Sequence, residues 1–262
     1  MIKVNGTIVE RKEFPDGTLL LNTKELFLIN PIITWHYEND AELFTIISLA
    51  KKSNGYKHLI LPYIPHARMD RVKNSGDTFT LKYFVETINW LGFEKVSVLD
   101  PHSPVSEALI DNICVYSPEH YIKNVISKIK KSDSQPVLFF PDAGASKRYA
   151  SMFPNCKYIY GNKVRTWETG EIVGTEIVNP FNVNLAGETI LIIDDICSKG
   201  TTFVKSAEAL EPYSVDKVYL WVTHCENTIM KGEVLTSGLF EKVFTTNSIF
   251  TEKHEKVEVF EI

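Results

Sequence analysis

Residues 190–202 constrain the 262-residue chain most, reading Ile-Leu-Ile-Ile-Asp-Asp-Ile-Cys-Ser-Lys-Gly-Thr-Thr. The apolar run has the character of a buried strand, and it ends in two adjacent carboxylates. A short loop of small, hydroxyl-bearing and glycine residues follows, and Phe203 to Leu210 reads as the start of a helix. Such a strand delivers Asp194 and Asp195 to its carboxyl end. Ser198, Lys199, Gly200, Thr201 and Thr202 then offer hydroxyls, backbone N–H groups and a helix N-terminus, which together suit a phosphate. Paired acids beside a phosphate cradle suit a sugar's hydroxyls, directly or through a divalent metal. The plainer reading stands beside it: Asp caps helices, and Gly and Ser belong in turns. Neither G-x-x-x-x-G-K-[ST] nor G-x-G-x-x-G occurs here, so a P-loop and a dinucleotide fingerprint are excluded.

The same design recurs along the chain. Residues 58–63, 96–100, 137–142, 189–193 and 218–224 read as strands, and 41–52, 80–92 and the segment from Lys147 as helices. Strands alternating with helices predict an α/β fold with parallel sheets, covered by helices and binding ligands at the strands' carboxyl ends. The polar stretch 128–136 ends at Pro136 and suggests a boundary between two α/β halves. Residues 161–187 lack strong periodicity and read as a long lid or binding loop.

Composition narrows the classes. With 44% hydrophobic and 23% charged residues the chain can bury a core, and no window approaches the length of an apolar membrane span. The net charge of −5 offers no global basic field for nucleic acid. The four cysteines form no C-x-x-C pair, and no signal-type segment opens the chain; reduced thiols in a cytoplasmic protein are expected.

Further chemistry lies just past the other strand ends. Asp100 and His102 offer a carboxylate and an imidazole, ligand types for a metal or a phosphate site. Asp142 precedes a small-residue turn, either as a helix cap or as a ligand. Lys147 and Arg148 fall in the first helical turn, where they oppose the helix dipole and suit an anion. His66, Arg68, Asp70 and Arg71 cluster donors for a polyphosphate, or form a surface ion-pair network. Lys163 and Arg165 are placed to neutralise a transferring phosphoryl group, or to be a solvated pair.

In this order the segments resemble the ribose-phosphate pyrophosphokinase family over nearly the whole chain. Residues 14–17, Phe-Pro-Asp-Gly, resemble F-x-D-G-E. Residues 38–43 resemble the N-D-x-L-M-E-L helix start, and residues 61–71 resemble P-Y-x-P-Y-A-R-Q-D-R. Asp100-Pro101-His102 resembles D-L-H, and Pro141-Asp142-Ala143-Gly144 resembles P-D-x-G-G. Lys163-Val164-Arg165 resembles K-R-R, and residues 194–202 resemble D-D-x-x-x-T-x-G-T. Thr223-His224 and residues 245–249 resemble T-H-G and T-N-T-I.

The resemblance implies two tandem phosphoribosyltransferase-type, Rossmann-like domains. Residues 1–130 would form the ATP side, with 247–262 as a candidate completion, and 131–246 the ribose 5-phosphate side. It implies transfer of the diphosphoryl group of ATP to ribose 5-phosphate with Mg²⁺, in a cytoplasmic homo-oligomer (dimer or larger) without nucleic-acid or membrane partners. By the same resemblance Phe14, Asp16, Arg68, Asp70 and His102 serve ATP, and His102 and Asp142 the metal. Lys163 and Arg165 are the catalytic cations. Asp194, Asp195 and residues 198–202 serve ribose 5-phosphate. Thr18, Met69, Val164, Ser198 and Lys199 stand where the family pattern has other residues. A phosphoribosyltransferase and a non-catalytic regulatory homologue are the alternative readings.

Overall fold

The computed structural model of the chain describes residues 1–131, 134–165 and 172–262, apart from the side chains of 163–165 and 172–174. It divides into two compact units, Met1–Ser117 and Pro118–Ile262.

The first unit contains β1 (Ile2–Val4), β2 (Thr7–Ile8), β3 (Arg11–Glu13), β4 (Leu19–Leu21), β5 (Ile32–Trp35), α1 (Glu42–Lys52), β6 (His58–Ile60), α2 (Thr80–Trp90), β7 (Lys95–Leu99), α3 (Pro104–Leu109) and β8 (Ile113–Tyr116). Its six-stranded sheet runs β2-β1-β5-β6-β7-β8, parallel from β5 to β8, while β3 and β4 form a separate hairpin. Leu81, Phe84, Val85 and Ile88 recur at helical spacing and turn one face of α2 to the core, beside Ile33, Leu59 and Val96. Gly92, at φ 64°, ends that helix in the left-handed conformation that glycine adopts without strain. Glu42 is buried, but its carboxylate accepts hydrogen bonds from the Trp35 indole at 2.8 Å and the Glu38 amide at 2.9 Å, tying the start of α1 to the end of β5.

The second unit contains α4 (Glu119–Ile129), β9 (Val137–Phe140), α5 (Ala143–Tyr149), β10 (Tyr158–Arg165), β11 (Ile172–Val178), β12 (Thr189–Cys197), α6 (Thr201–Glu208), β13 (Lys217–Cys225), β14 (Lys242–Thr246) and β15 (Val257–Phe260). Its seven-stranded sheet runs β11-β10-β9-β12-β13-β14-β15 and is parallel except for the β10–β11 pair. The unbroken apolar run of β12 serves both faces. Ile190 and Ile192 join Phe203, Val204 and Ala207 of α6. Leu191 and Ile193 join Ile122 and Val125 of α4 and Ala145 and Tyr149 of α5. Each such side chain stabilises by about 1.5–3 kcal/mol when fully buried, so strand and helices are mutually dependent.

Three expectations change in detail. The boundary falls at Ser117/Pro118 rather than at 130/131, because α4 packs its apolar stripe on Phe140 and Trp221 of the second sheet. Of the polar stretch 128–136, Lys128 and Ile129 are the last residues of α4, and 132 and 133 lie outside the described residues. Residues 257–260 also belong to the second unit, where Val243↔Val257 and Thr245↔Val259 pair β14 with β15. Residues 161–187, expected to form an irregular loop, contain an antiparallel pair, with Gly161 opposite Ile177 and Lys163 opposite Thr175. Gly161 and Gly174 interrupt the alternation that would have announced these strands. Among the described residues no helix is long and apolar enough to cross a membrane.

Ile122 is completely buried between α4 and the second sheet. Replacing it with alanine is expected to destabilise the protein by about 2–5 kcal/mol, measured by denaturant unfolding followed by circular dichroism. An effect within error would detach α4 from this core.

Candidate functional site

The topology of the second unit marks one position for a ligand. From β9 the chain passes through α5 to β10 on one side, and from β12 through α6 to β13 on the other. The strand order reverses between β9 and β12, and a crevice opens outside the carboxyl ends of strands at such a point. Pairing between these strands ends at Ile192↔Phe139, whereas β12 continues along β13 to Cys197↔Cys225. Pro141 follows β9, and without an N–H it cannot extend the ladder. Asp194 and Asp195 therefore emerge past the end of β9, within the strand rather than after it.

The two acids differ. By the pleat of β12, Asp195 shares the face of Leu191 and Ile193, and Asp194 the opposite one. Asp195 is 5% exposed, and its carboxylate accepts a hydrogen bond from the Arg148 guanidinium at 2.5 Å. Asp194 is half-buried, and its Oδ1 accepts the amide N–H of Asp195 at 2.9 Å. The anion awaited near Lys147 and Arg148 is thus, for Arg148, a carboxylate of the chain itself. Across the opening, Asp142 caps α5, its Oδ1 accepting the Ala145 N–H at 3.0 Å.

The loop beyond β12 starts its helix differently. Gly200 is the N-cap of α6 in the left-handed region (φ 80°), and no side chain caps this helix. The first N–H groups of α6, the Ser198, Thr201 and Thr202 hydroxyls and the exposed Lys199 ammonium therefore belong to one short segment. At the ends of β13 and β14, buried His224 is hydrogen-bonded through Nδ1 to the Ser248 hydroxyl at 2.8 Å, and the Thr246 hydroxyl donates to the Thr223 carbonyl at 2.6 Å.

In the first unit, Asp70 is 8% exposed and both its oxygens are engaged. Arg71 donates to it through Nε and Nη2, each at 2.7 Å, and the Ser103 hydroxyl donates at 2.7 Å. The Arg71 guanidinium holds the Asp70 carboxyl well below the usual range; the Ser103 hydroxyl and nearby His102 act in the same direction, against the cost of burial. Ser103 also caps α3 by accepting the Val105 N–H at 3.1 Å. Asp70 is thus a strut between the exposed Arg68–Arg71 run and the His102 loop. Phe14 and Asp16 lie apart, on the β3–β4 turn. Phe14 is 48% exposed, and Asp16 accepts the Thr18 hydroxyl at 2.7 Å, which lowers its carboxyl. The side chains of Lys163 and Arg165 lie outside the described residues; their backbone is part of β10.

No family model matches the chain. It is 30% identical to the ribose-phosphate pyrophosphokinase of Saccharolobus solfataricus, over 76% of this chain and 69% of that one. The chain belongs to the ribose-phosphate pyrophosphokinase family. The enzyme of Sulfurisphaera tokodaii is 26% identical over 97% of this chain and 88% of its own. The fold matches the crystal structure of phosphoribosylpyrophosphate synthetase from Mycobacterium smegmatis at a TM-score of 0.75, with 18% identity, covering 97% of this chain and 86% of that one. As a member of this family the protein is an enzyme of the diphosphotransferase class.

Ser103 joins the residues expected from sequence, and Arg71 and Arg148, expected there to meet an anion, hold the Asp70 and Asp195 carboxylates of the chain itself. Arg148→Met is expected to destabilise by about 1–3 kcal/mol, and Asp195→Asn in the same background to add little, since the two residues form one part-buried pair. A double-mutant cycle by denaturant unfolding measures this, and strict additivity would contradict the pairing. Asp70→Asn is expected to cost about 1–3 kcal/mol at neutral pH. Because folding lowers the Asp70 pKa, its contribution is full above the ordinary carboxylate range and fades as pH falls below about 4. The gap between wild type and variant should therefore narrow in acid; a gap that widens there would contradict the assignment.

Proposed function

We propose that the enzyme transfers the β,γ-diphosphoryl group of ATP to the C1 hydroxyl of ribose 5-phosphate, giving phosphoribosyl pyrophosphate and AMP. The observation that carries this reading is the β9/β12 switch point, with an acid pair leading directly into an uncapped helix start, in a chain of this family. In this reading the Ser198–Thr202 segment receives the 5-phosphate through backbone N–H groups, hydroxyls and the Lys199 charge. Asp194 and Asp195 accept hydrogen bonds from the ribose hydroxyls. The bond to Arg148 holds Asp195 in place before the sugar arrives, which lowers the ordering cost of binding.

The donor side falls to Arg68, whose guanidinium fork matches phosphate oxygens, and to Phe14 and Asp16 for the base, while Arg71 spends its Nε and Nη2 on Asp70. Phe14 is exposed enough to stack on a base, and in a homo-oligomer it would do so across the subunit boundary, as the family resemblance implies. Lys163 and Arg165 stabilise the charge that spreads over the transferring group as the C1 hydroxyl attacks the β-phosphorus in line.

Mg²⁺ fits the available donors. Among the described residues no three His, Cys, Asp or Glu side chains gather into a cage. Magnesium characteristically takes one or two carboxylates and completes its shell with substrate oxygens and water. Asp142 supplies a hard oxygen donor of this kind and would hold the ion. When bound, the ion would offset the negative charge of the triphosphate.

Incubation with ATP, ribose 5-phosphate and Mg²⁺ is expected to yield AMP and phosphoribosyl pyrophosphate in equal amounts, with no AMP when the sugar phosphate is left out. Lys163→Ala is expected to lower kcat by about 10²–10³. Failure of wild type to release AMP, or unchanged turnover in the variant, would contradict the reading; base-dependent release of pyrophosphate from phosphoribosyl pyrophosphate would favour a phosphoribosyltransferase instead.

A further inference from the structure

The segment that follows β13 returns beneath the sugar-phosphate loop and touches its backbone. The Glu226 N–H donates to the Cys197 carbonyl at 2.8 Å, which pins the start of this segment to the last residue of β12. A short 3₁₀ turn (Asn227–Lys231) leads to Gly232, whose φ of −102° and ψ of −179° any residue can adopt. Space, rather than conformation, requires glycine there. A Cβ on residue 232 would lie 1.9 Å from the carbonyl oxygen of Lys199, 2.8 Å from its carbonyl carbon and 3.0 Å from its Cα. These are backbone atoms, so no change of rotamer relieves the clash.

Two residues on, Val234 is completely buried, and its Cγ2 lies 2.2 Å from where a Cβ on residue 200 would sit. Gly200 is thus required twice, by its φ of 80° and by Val234. The Lys199–Gly200 peptide is held from below by Gly232 and Val234. Its carbonyl oxygen faces Gly232, and in a planar trans peptide the N–H points the opposite way. The Gly200 N–H is thereby turned away from Gly232.

We infer that Gly232 and Val234 are positioning residues for the sugar-phosphate subsite: they lock the Lys199–Gly200 peptide in the orientation that presents the Gly200 N–H to the 5-phosphate. This rests on the proposed function and deepens it, because it assigns recognition of the phosphate to a peptide orientation imposed from outside the loop. The ligand class is a sugar monophosphate, bound through its phosphate oxygens.

The test compares wild type with Gly232→Ala and Val234→Ala, using the full-length enzyme with MgATP. Steady-state kinetics give KM for ribose 5-phosphate and for ATP, and calorimetry gives the affinities for ribose 5-phosphate and for unphosphorylated ribose. A misplaced loop peptide is expected to raise KM and Kd for ribose 5-phosphate by about ten- to a hundredfold. KM for ATP should stay within about twofold, and the preference for ribose 5-phosphate over ribose should collapse. Circular dichroism reports whether each variant folds. Val234→Ala keeps the test open should Gly232→Ala misfold, since it loosens the support without inserting an atom. Wild-type affinity for ribose 5-phosphate in a folded variant would overturn the inference, as would an equal loss for both substrates. A wild-type enzyme that binds ATP but not ribose 5-phosphate would instead overturn the functional reading, so the two failures are distinct.

Discussion

The unequal length of two neighbouring strands shapes the second unit. β9 and β12 pair in parallel until Pro141 ends β9, while β12 runs on beside β13. A parallel ladder needs an N–H from each strand, so proline opens the sheet at this point. Because the chain order reverses at the same place, loops from both sides border the opening. The acids, the capped helix α5 and the uncapped helix α6 all take their positions from that register. A one-residue slip of β12 would exchange its two faces, taking Ile190 and Ile192 from α6 and Asp195 from Arg148.

Capping distinguishes support from recognition. Asp142 and Ser103 spend a side-chain oxygen on the first turn of α5 and α3, and both follow strands of the parallel sheets. α6 has glycine at that position, so its N-terminus keeps its partial positive charge for another partner. The same economy appears in the acids. Asp70 and Asp195 are buried and matched by Arg71 and Arg148, which makes them rigid, whereas Asp194 remains half-buried. Buried carboxylates persist when a guanidinium fork answers them.

Much of this was legible locally. The unbroken apolar run before Asp194, the small residues after it and the helical spacing of Phe203 and Ala207 announce a strand, a loop and a helix in that order, and the repetition of the pattern announces the sheet. What stayed hidden depends on contacts between distant residues. Arg148 reaches Asp195 across 47 positions, and Ser103 reaches Asp70 across 33, so neither pairing leaves a periodic trace. The unit boundary is hidden because 128–136 has the composition of a linker, while α4, which ends within it, packs on the second sheet. The β10–β11 pair is hidden as well, because glycines interrupt its pattern and its polar positions resemble those of a loop. The close approach of Gly232 to Lys199 has no sequence signature at all, since a glycine required for space reads the same as one required for a turn.

On this reading residues 194–202, at the open edge of β12, receive a sugar phosphate. Amide chemical-shift mapping of the isotope-labelled enzyme, titrated with ribose 5-phosphate and separately with ribose, addresses it most directly. Saturable shifts at the amides of residues 198–202 and of Asp194 and Asp195, far stronger for the phosphorylated sugar, are the predicted result. Shifts from ribose 5-phosphate that leave this segment unchanged and fall elsewhere would contradict the account.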